Sequence, residues 1–314
     1  MKKVLTLCLF ASLAFVAFPK DKTPKPSTAN KEAAAEAAKE AAAGAALEKQ
    51  FKFQQGKIDL KNGMASLNIP ANFRFIDGAQ SKKMLTEIWG NPPDQAEGVL
   101  GMLFPADKSL AAEDNWGVVI KYVDDGHVDD QDAATIDYAA MMKEMKEGEK
   151  EENAERQKAG YEAAYIMGWA EQPHYDQAAK KLYWAKEIKF GDATDHILNY
   201  DIRVLGRRGV LSLNAVGNMG QLNDVAQNMQ AVLGFVEFNA GHRYAEFNKS
   251  TDKLAAYGIG ALVAGGLATK AGLFKGLIAL LLAGKKFLII GVIAAGALLK
   301  KLFSGKSSSD ETEA

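Results

Sequence analysis

The chain has almost no cysteine. Its single one, Cys8, lies close to the N-terminus, so an intramolecular disulfide is impossible and a cysteine-rich metal site is excluded. Histidine is nearly as scarce, with 4 in 314 residues, and none has the partner spacing of a zinc site. Net charge is lacking as well: 38 Lys and Arg against 39 Asp and Glu leave -1. That balance gives no concentrated basic surface for a phosphate backbone, which argues against nucleic acid as a partner. No G-x-S-x-G, H-E-x-x-H, phosphate-loop or dinucleotide fingerprint occurs. A serine or cysteine nucleophile is therefore without support, and no cofactor is implied.

What the chain does have is a long apolar block near its end, Leu254 to Phe303, interrupted only by Lys270, Lys275, Lys285, Lys286, Lys300 and Lys301. It lacks the regular polar positions of an amphipathic surface helix. A perpendicular span needs about 20 apolar residues, and two spans fit the block best, a single span being the alternative. One arrangement runs from about Leu254 to Leu273 and from about Leu277 to Leu299, with Lys285 and Lys286 in the second helix. The other makes those two lysines the turn of a hairpin, where less charge enters hydrocarbon. Gly258, Gly260, Ala264, Gly291 and Ala295 are small residues of the kind that let membrane helices approach closely, within one chain or between copies.

At the other end, Lys2 and Lys3 followed by the apolar run Val4 to Phe18 have the layout of a signal peptide, here residues 1–18. Residues 19–50 read as a linker and an alanine-rich helical spacer, whose Ala, Glu and Lys favour helix but offer little to bury. Residues 51–238 carry the alternations of a folded domain, 239–253 a polar neck, 254–303 the membrane anchor and 304–314 a polar tail.

Within the domain, Lys57 to Leu60 and Ala65 to Ile69 flank Asn62-Gly63 as a hairpin. Gln80 to Trp89 has helical spacing, and Val99 to Phe104 and Gly117 to Val123 read as strands. Ala133 to Gln157 is a helix whose charged second half is expected to project into water. Four strands are then predicted, at Tyr161 to Ala170, Leu182 to Phe190, His196 to Val204 and Val210 to Val216. In the third, Leu198, Tyr200, Ile202 and Val204 alternate with Asn199, Asp201 and Arg203, the pattern of an antiparallel sheet with one covered face. Leu222 to Leu233 supplies a covering helix. Grouped strands with flanking helices place the domain in the α+β class.

Two stretches concentrate chemistry-bearing residues. The acidic turn Asp124 to Asp132 holds Asp124, Asp129, Asp130 and Asp132, carboxylates of the type hard cations favour, without the spacing of a calcium-binding helix-loop-helix, so it reads first as a solvated turn that caps the following helix and only second as a cation site. The segment Trp169 to Asp176 lies between two predicted strands and carries Glu171, His174 and Asp176. On a loop beside the sheet these three can line a cleft for acid/base catalysis, provided that they converge.

Gly168-Trp169-Ala170-Glu171, Pro173-His174-Tyr175-Asp176, Leu182-Tyr183-Trp184-Ala185-Lys186 and Leu198 to Arg207 together resemble the bacterial membrane-anchored proteins grouped as domain of unknown function 2167. The likeness runs from about Phe51 into the apolar block, through Ala255-Ala256-Tyr257-Gly258 and the Lys285-Lys286 break. It implies an anchored topology and brings no catalytic residue. The order of elements is also similar to the small α+β sandwiches of the Mog1 and PsbP type, which are binding modules.

The sequence thus predicts an exported α+β domain held at the bacterial cell membrane by a C-terminal transmembrane hairpin. Its partners are the lipid bilayer and either further copies of itself or another envelope protein, and it works as a binding or assembly module. A tethered enzyme using the Trp169 to Asp176 loop is the alternative.

Overall fold

A computed structural model describes residues 42 and 44–264, apart from 92, 113 and 159. The chain divides into two compact units, Met1–Lys39 and Glu40–Ala314, and the described residues belong to the second. The expected signal peptide, most of the linker and the apolar block beyond Ala264 lie outside them.

The first hairpin joins β1 (Gly56–Leu60) to β2 (Ala65–Ile69). Its turn places Lys61, Asn62 and Gly63 at positive φ, a conformation that Asn and Gly adopt most readily. After β3 (Phe73–Asp77), the Asp77 carboxylate accepts from the Gln80 amide at 2.9 Å and starts α1 (Gly78–Lys83). That helix widens into one π turn at Met84–Ile88. There follow β4 (Val99–Pro105), β5 (Gly117–Val123), the short β6 (His127–Asp129) and the long helix α2 (Tyr138–Lys158). Four strands come next: β7 (Ala164–Asp176), β8 (Lys181–Phe190), β9 (Ile197–Leu205) and β10 (Val210–Asn218). The helix α3 (Leu222–Phe235) runs straight into β11 (Val236–Phe238), and β12 (Leu254–Gly258) into α4 (Ile259–Ala264).

Seven strands form one antiparallel sheet in the order β3-β4-β5-β10-β9-β8-β7, while β1, β2 and β11 make a smaller sheet. The main core lies between them. Leu67 and Phe238 of the small sheet, with Val225, Met229 and Val232 of α3, close over Phe73, Tyr200, Ile202 and Leu213 of the large one. Burial of this apolar set is the main source of stability.

Two expectations change here. The sheet was expected to have one covered face, yet all nine residues of β9 are buried, so its polar side points inward. The second half of α2 was expected to project into water. Most of its residues are exposed, yet one face also covers the edge of β7, where Lys146 Nζ donates to the Met167 carbonyl at 2.7 Å and Arg156 Nε to the Glu162 carbonyl at 3.0 Å. Between them the Glu149 carboxylate accepts from the Ile166 amide, and the Asn153 amide group both donates to and accepts from the backbone of Ala164, at 2.9 and 2.7 Å. Residues 146, 149, 153 and 156 share one helical face, and together they occupy hydrogen-bonding groups that an edge strand otherwise leaves open.

The alanine-rich tract also contributes more than a spacer at its described end. Leu47 packs on a cluster around Phe51, Met84 and Phe104, and Glu48 pairs with Arg74 at 3.0 Å and accepts from the Leu110 amide at 3.1 Å.

The start of the expected membrane anchor is part of the domain. Leu254–Gly258 is the strand β12, parallel to β6, and the helix begins only at Ile259. Among the described residues no helix is long and apolar enough to cross a membrane.

Candidate functional site on the polar sheet face

The acidic turn ties parts of the domain to one another and to the chain that follows it. Asp130 accepts from Tyr175 Oη and Lys180 Nζ, each at 2.6 Å, and from Tyr244 Oη at 3.1 Å. Burial pushes its carboxyl up, but those hydrogen bonds outweigh it and leave the group below the usual carboxylate range. The two oxygens of Asp132 accept from the Ile259 and Gly260 amides, both at 2.9 Å, and so start α4. Asp125 accepts from Tyr257 Oη at 2.9 Å. Asp129 accepts from the Gln131 amide at 2.8 Å, and Asp124 lies 3.8 Å from Lys61 Nζ.

Among the described residues no group of three His, Cys, Asp or Glu side chains could hold a metal ion. The metal candidates Asp124, Asp129, Asp130 and Asp132 are therefore structural partners of backbone, tyrosine and lysine. Gly258 and Gly260, expected to serve helix packing in a membrane, lie against Asp132: a Cβ on Gly258 would sit 2.6 Å from its carboxylate. Ala264 ends α4, and Gly291 and Ala295 fall outside the described residues.

The neck is packed rather than free. Asp252, its side chain fully enclosed, takes Arg207 Nε at 2.6 Å and Arg208 Nε at 2.8 Å. The hydrogen bond from Arg207 holds its carboxyl well below the usual range. His127 lies 4.1 Å from the Tyr244 ring and 4.0 Å from Phe247.

The catalytic candidates do not assemble on a loop, because Trp169 to Asp176 is the second half of β7. His174 is exposed, with its ring 5.1 Å from that of Tyr183. Glu171 is hydrogen-bonded to Tyr200, whose hydroxyl is pushed up by burial and by that carboxylate. Asp176 accepts from the Ala179 amide at 2.9 Å in the turn to β8. A shallow cleft of about 360 Å³ lies nearby, between the 179–181 turn, β11 and the neck, and none of the three lines it.

The polar face of the large sheet is different in kind. Cross-strand register sets Lys186 beside Asn199, Trp184 beside Asp201, Asp201 beside Asn214, and Arg203 beside Ser212. These side chains form three rows on the face away from α3. Apolar clusters frame them, around Leu205 and Ile259 at one strand end and around Phe190 and Ile197 at the other. Lys186 and the five polar residues of β9 and β10 are each at most 3% exposed.

Part of this array is satisfied. Arg203 Nη1 donates to Asp201 Oδ1 at 2.9 Å, Asn214 Nδ2 donates to the same oxygen at 2.8 Å, and the guanidinium lies 5.0 Å from the Trp184 ring centre. The rest is not. Both amide atoms of Asn199, Arg203 Nε, Ser212 Oγ, Asn214 Oδ1 and Trp184 Nε1 are buried without a hydrogen-bond partner among the described residues. Each such atom costs about 1–3 kcal/mol, and native structures hold few of them. Burial also holds the Lys186 ammonium below the usual lysine range, against the pull of Asp201.

Ser212 and Lys186 sit on strands two apart and four residues out of step, about 16 Å at the backbone from strand geometry, so no serine–lysine pair forms.

A model of the family described as protein of unknown function DUF2167 matches residues 52–296. The chain belongs to this family. The DUF2167 match takes in every named strand and continues past α4, so the junction of β12 with the acidic turn falls inside the family's pattern. No curated protein matches the chain. Among solved structures, the DUF2167 chain is similar to cyanobacterial PsbP from Synechocystis at 10% identity and a TM-score of 0.33, covering 60% of this chain and 92% of that one. It is similar to the Saccharomyces cerevisiae Ran-binding protein Mog1p at 10% identity and a TM-score of 0.32, covering 63% of this chain and 100% of that one.

Sequence reasoning passed over the polar face. The alternation of Asn199, Asp201 and Arg203 was visible, but an outward direction was assumed for it. A usable signal was the clustering of three polar residues on β9 and two on β10, consecutive strands that also pair.

Proposed function

We propose that this protein is a binding module of the bacterial envelope, tethered to the cell membrane by its terminal apolar block with the α+β domain on the exported side. The observation that carries the binding role is the polar sheet face. Six side-chain atoms there are buried and unpaired, a standing loss of stability that a bound polar ligand would offset. Tethering is supported by the signal-peptide layout of residues 1–18 and by the lysine-punctuated apolar block that follows α4.

The test has two parts. Single cysteines at Ser250, Gly284 and Ser308, in a chain lacking Cys8, are labelled in intact cells with a membrane-impermeant reagent. Labelling of Ser250 and Ser308 with protection of Gly284 is expected, and labelling of Ser250 only after the membrane is opened overturns the exported placement. Replacing Asn199 and Asn214 by leucine in the same cells is expected to reproduce the phenotype of losing the protein while leaving its amount unchanged. Wild-type behaviour of that double variant removes the polar face from the function.

A further inference from the structure

We infer that the neck, residues 239–253, is a strap latched across the strand ends by His127, and that proton uptake by this histidine releases it. The device does not depend on the binding role just proposed.

The strap is held at one end of the large sheet. Arg243 forms a bridge with Gly206, the Arg207 amide donates to the His242 carbonyl at 2.8 Å, and the His127 amide donates to the Lys253 carbonyl at 2.8 Å. Its residues Arg243, Tyr244 and Ala245 form one wall of the shallow cleft, which Leu205 and Phe238 also line. Into this strap β6 inserts one titratable side chain. The His127 ring stacks on Phe247 at 4.0 Å and 13°, and lies 4.1 Å from Tyr244 on its other contact.

The ring is fitted to its neutral form. His127 is only 7% exposed, and its Nδ1 is buried without a hydrogen-bond partner among the described residues. The backbone carbonyls of Arg207 and Gly206 face the ring as acceptors. An imidazolium carries an N–H on both nitrogens, so the added proton at Nδ1 meets no acceptor, which is costly in a buried site.

The charges around it pull both ways. Asp129 and Asp130 attract an imidazolium, as do the faces of Tyr244 and Phe247. Asp130 is already paired with Lys180 at 2.6 Å. Arg207 and Arg208, in the turn the ring touches, are neutralised by Asp252 of the strap. Burial outweighs the attractions and holds the ring below its ordinary value.

An opened strap returns His127 to water and to a value of about 6.5, so the open form binds the proton first. The latch is therefore at full strength above that pH and weakens as pH falls through the folded value. Asp130 and Asp252 are held below the usual carboxylate range and stay ionised at about pH 5. His242 is the other histidine of the strap, and its replacement is the control.

The experiment is a spin-label distance measurement on the full-length chain in detergent, with Cys8→Ser, Ser250→Cys in the strap and Asn223→Cys on α3, both labelled positions being exposed. One narrow distance is expected at about pH 7.5, and loss of that narrow component at about pH 5. His127→Gln, which takes up no proton, is expected to keep the narrow distance at both, and His242→Gln to behave as the parent chain. Circular dichroism shows that each variant is folded. If glutamine loosens the strap at both pH values, His127→Phe, which keeps a ring between Tyr244 and Phe247, is read in its place.

A parent chain that stays narrow at both pH values overturns the latch. Loss of the narrow component that persists without His127, or that disappears without His242, places the sensor elsewhere and overturns it equally.

Discussion

Two regions of this molecule are rich in polar side chains, and they use them in opposite ways. In the acidic turn, Asp125, Asp129, Asp130 and Asp132 each receive at least one hydrogen bond, and Asp130 receives three. On the inner face of the sheet, buried atoms of Asn199, Ser212, Asn214, Arg203 and Trp184 receive none among the described residues. Two asparagines state the contrast most sharply. Asn153 is buried with both amide atoms bound to Ala164, and Asn199 is buried with both amide atoms unbound. Paired polar groups account for themselves by the structure they hold, as α2 is held on β7. Unpaired ones lower stability.

The largest test of that contrast is Asp130→Ala. It leaves two tyrosine hydroxyls and the Lys180 ammonium without their acceptor in a half-buried site. The expected loss is about 3 kcal/mol of unfolding free energy, measured by denaturant titration of the full-length chain. A loss below about 1 kcal/mol would show that the turn decorates the fold rather than holding it.

Next come the two asparagines, with opposite signs. Asn153→Ala removes a side chain that satisfies one N–H and one C=O of the β7 edge, for an expected loss of about 2 kcal/mol. Asn199→Leu replaces an unsatisfied amide by an apolar group of similar size, for an expected gain of about 1 kcal/mol. Equal losses at both positions would erase the distinction between the two regions.

Much of the architecture was legible because it is local. The bounds of β5, the hairpin of β1 and β2, and the start of α3 follow from alternation, the Asn62-Gly63 turn and helical spacing. The face that a strand turns inward was not legible, since alternation separates two faces without saying whether both are covered, and β9 is buried on both. The Trp169 to Asp176 segment was misread for two reasons. Pro173 argues against a central strand but is tolerated at an edge, which is where β7 lies. The irregularities between Ile166 and His174 also break the alternation. The pairing of β12 with β6 joins residues more than a hundred positions apart, a separation that no local pattern reports. Lysines and glycines of the apolar block drew attention to lipid, while Asp132, the partner that explains Gly258, was read as part of a solvated turn capping the helix that follows it.

Acid sharpens the comparison further, because the region of the acidic turn and neck contains groups whose titration is shifted by the fold. Burial holds His127 below its ordinary value against the backbone carbonyls of Arg207 and Gly206 and the charges of Asp129 and Asp130. A lowered folded value means that the unfolded chain binds the proton first, so this contribution is present above about pH 6.5 and lost as pH falls through the folded value. Asp130 and Asp252 are lowered too, so their contribution is present above about pH 4 and lost below it. Amide protection in β12 and the neck, taken relative to the intrinsic exchange rate at each pH, is therefore expected to fall in two stages on acidification. His127→Phe is expected to remove the first stage and keep the second. Protection in this region that stays flat from pH 7 to about pH 3 would mean that the neck is held by apolar contacts alone.

The smallest expected effect is at Gly258, where the two readings of the apolar block meet. If its lack of a side chain serves the approach of Asp132, a methyl group 2.6 Å from that carboxylate must push it aside and weaken the cap on Ile259 and Gly260. The expected loss for Gly258→Ala is about 1 kcal/mol in the folded domain, with Asp132→Asn giving a similar loss and the double variant little more than either alone. If the glycine serves packing between membrane helices instead, the domain keeps its stability and the change falls on association of the full-length chain in detergent. Denaturation and sedimentation of the same three variants separate the two, because only the carboxylate contact predicts that Gly258 and Asp132 are coupled.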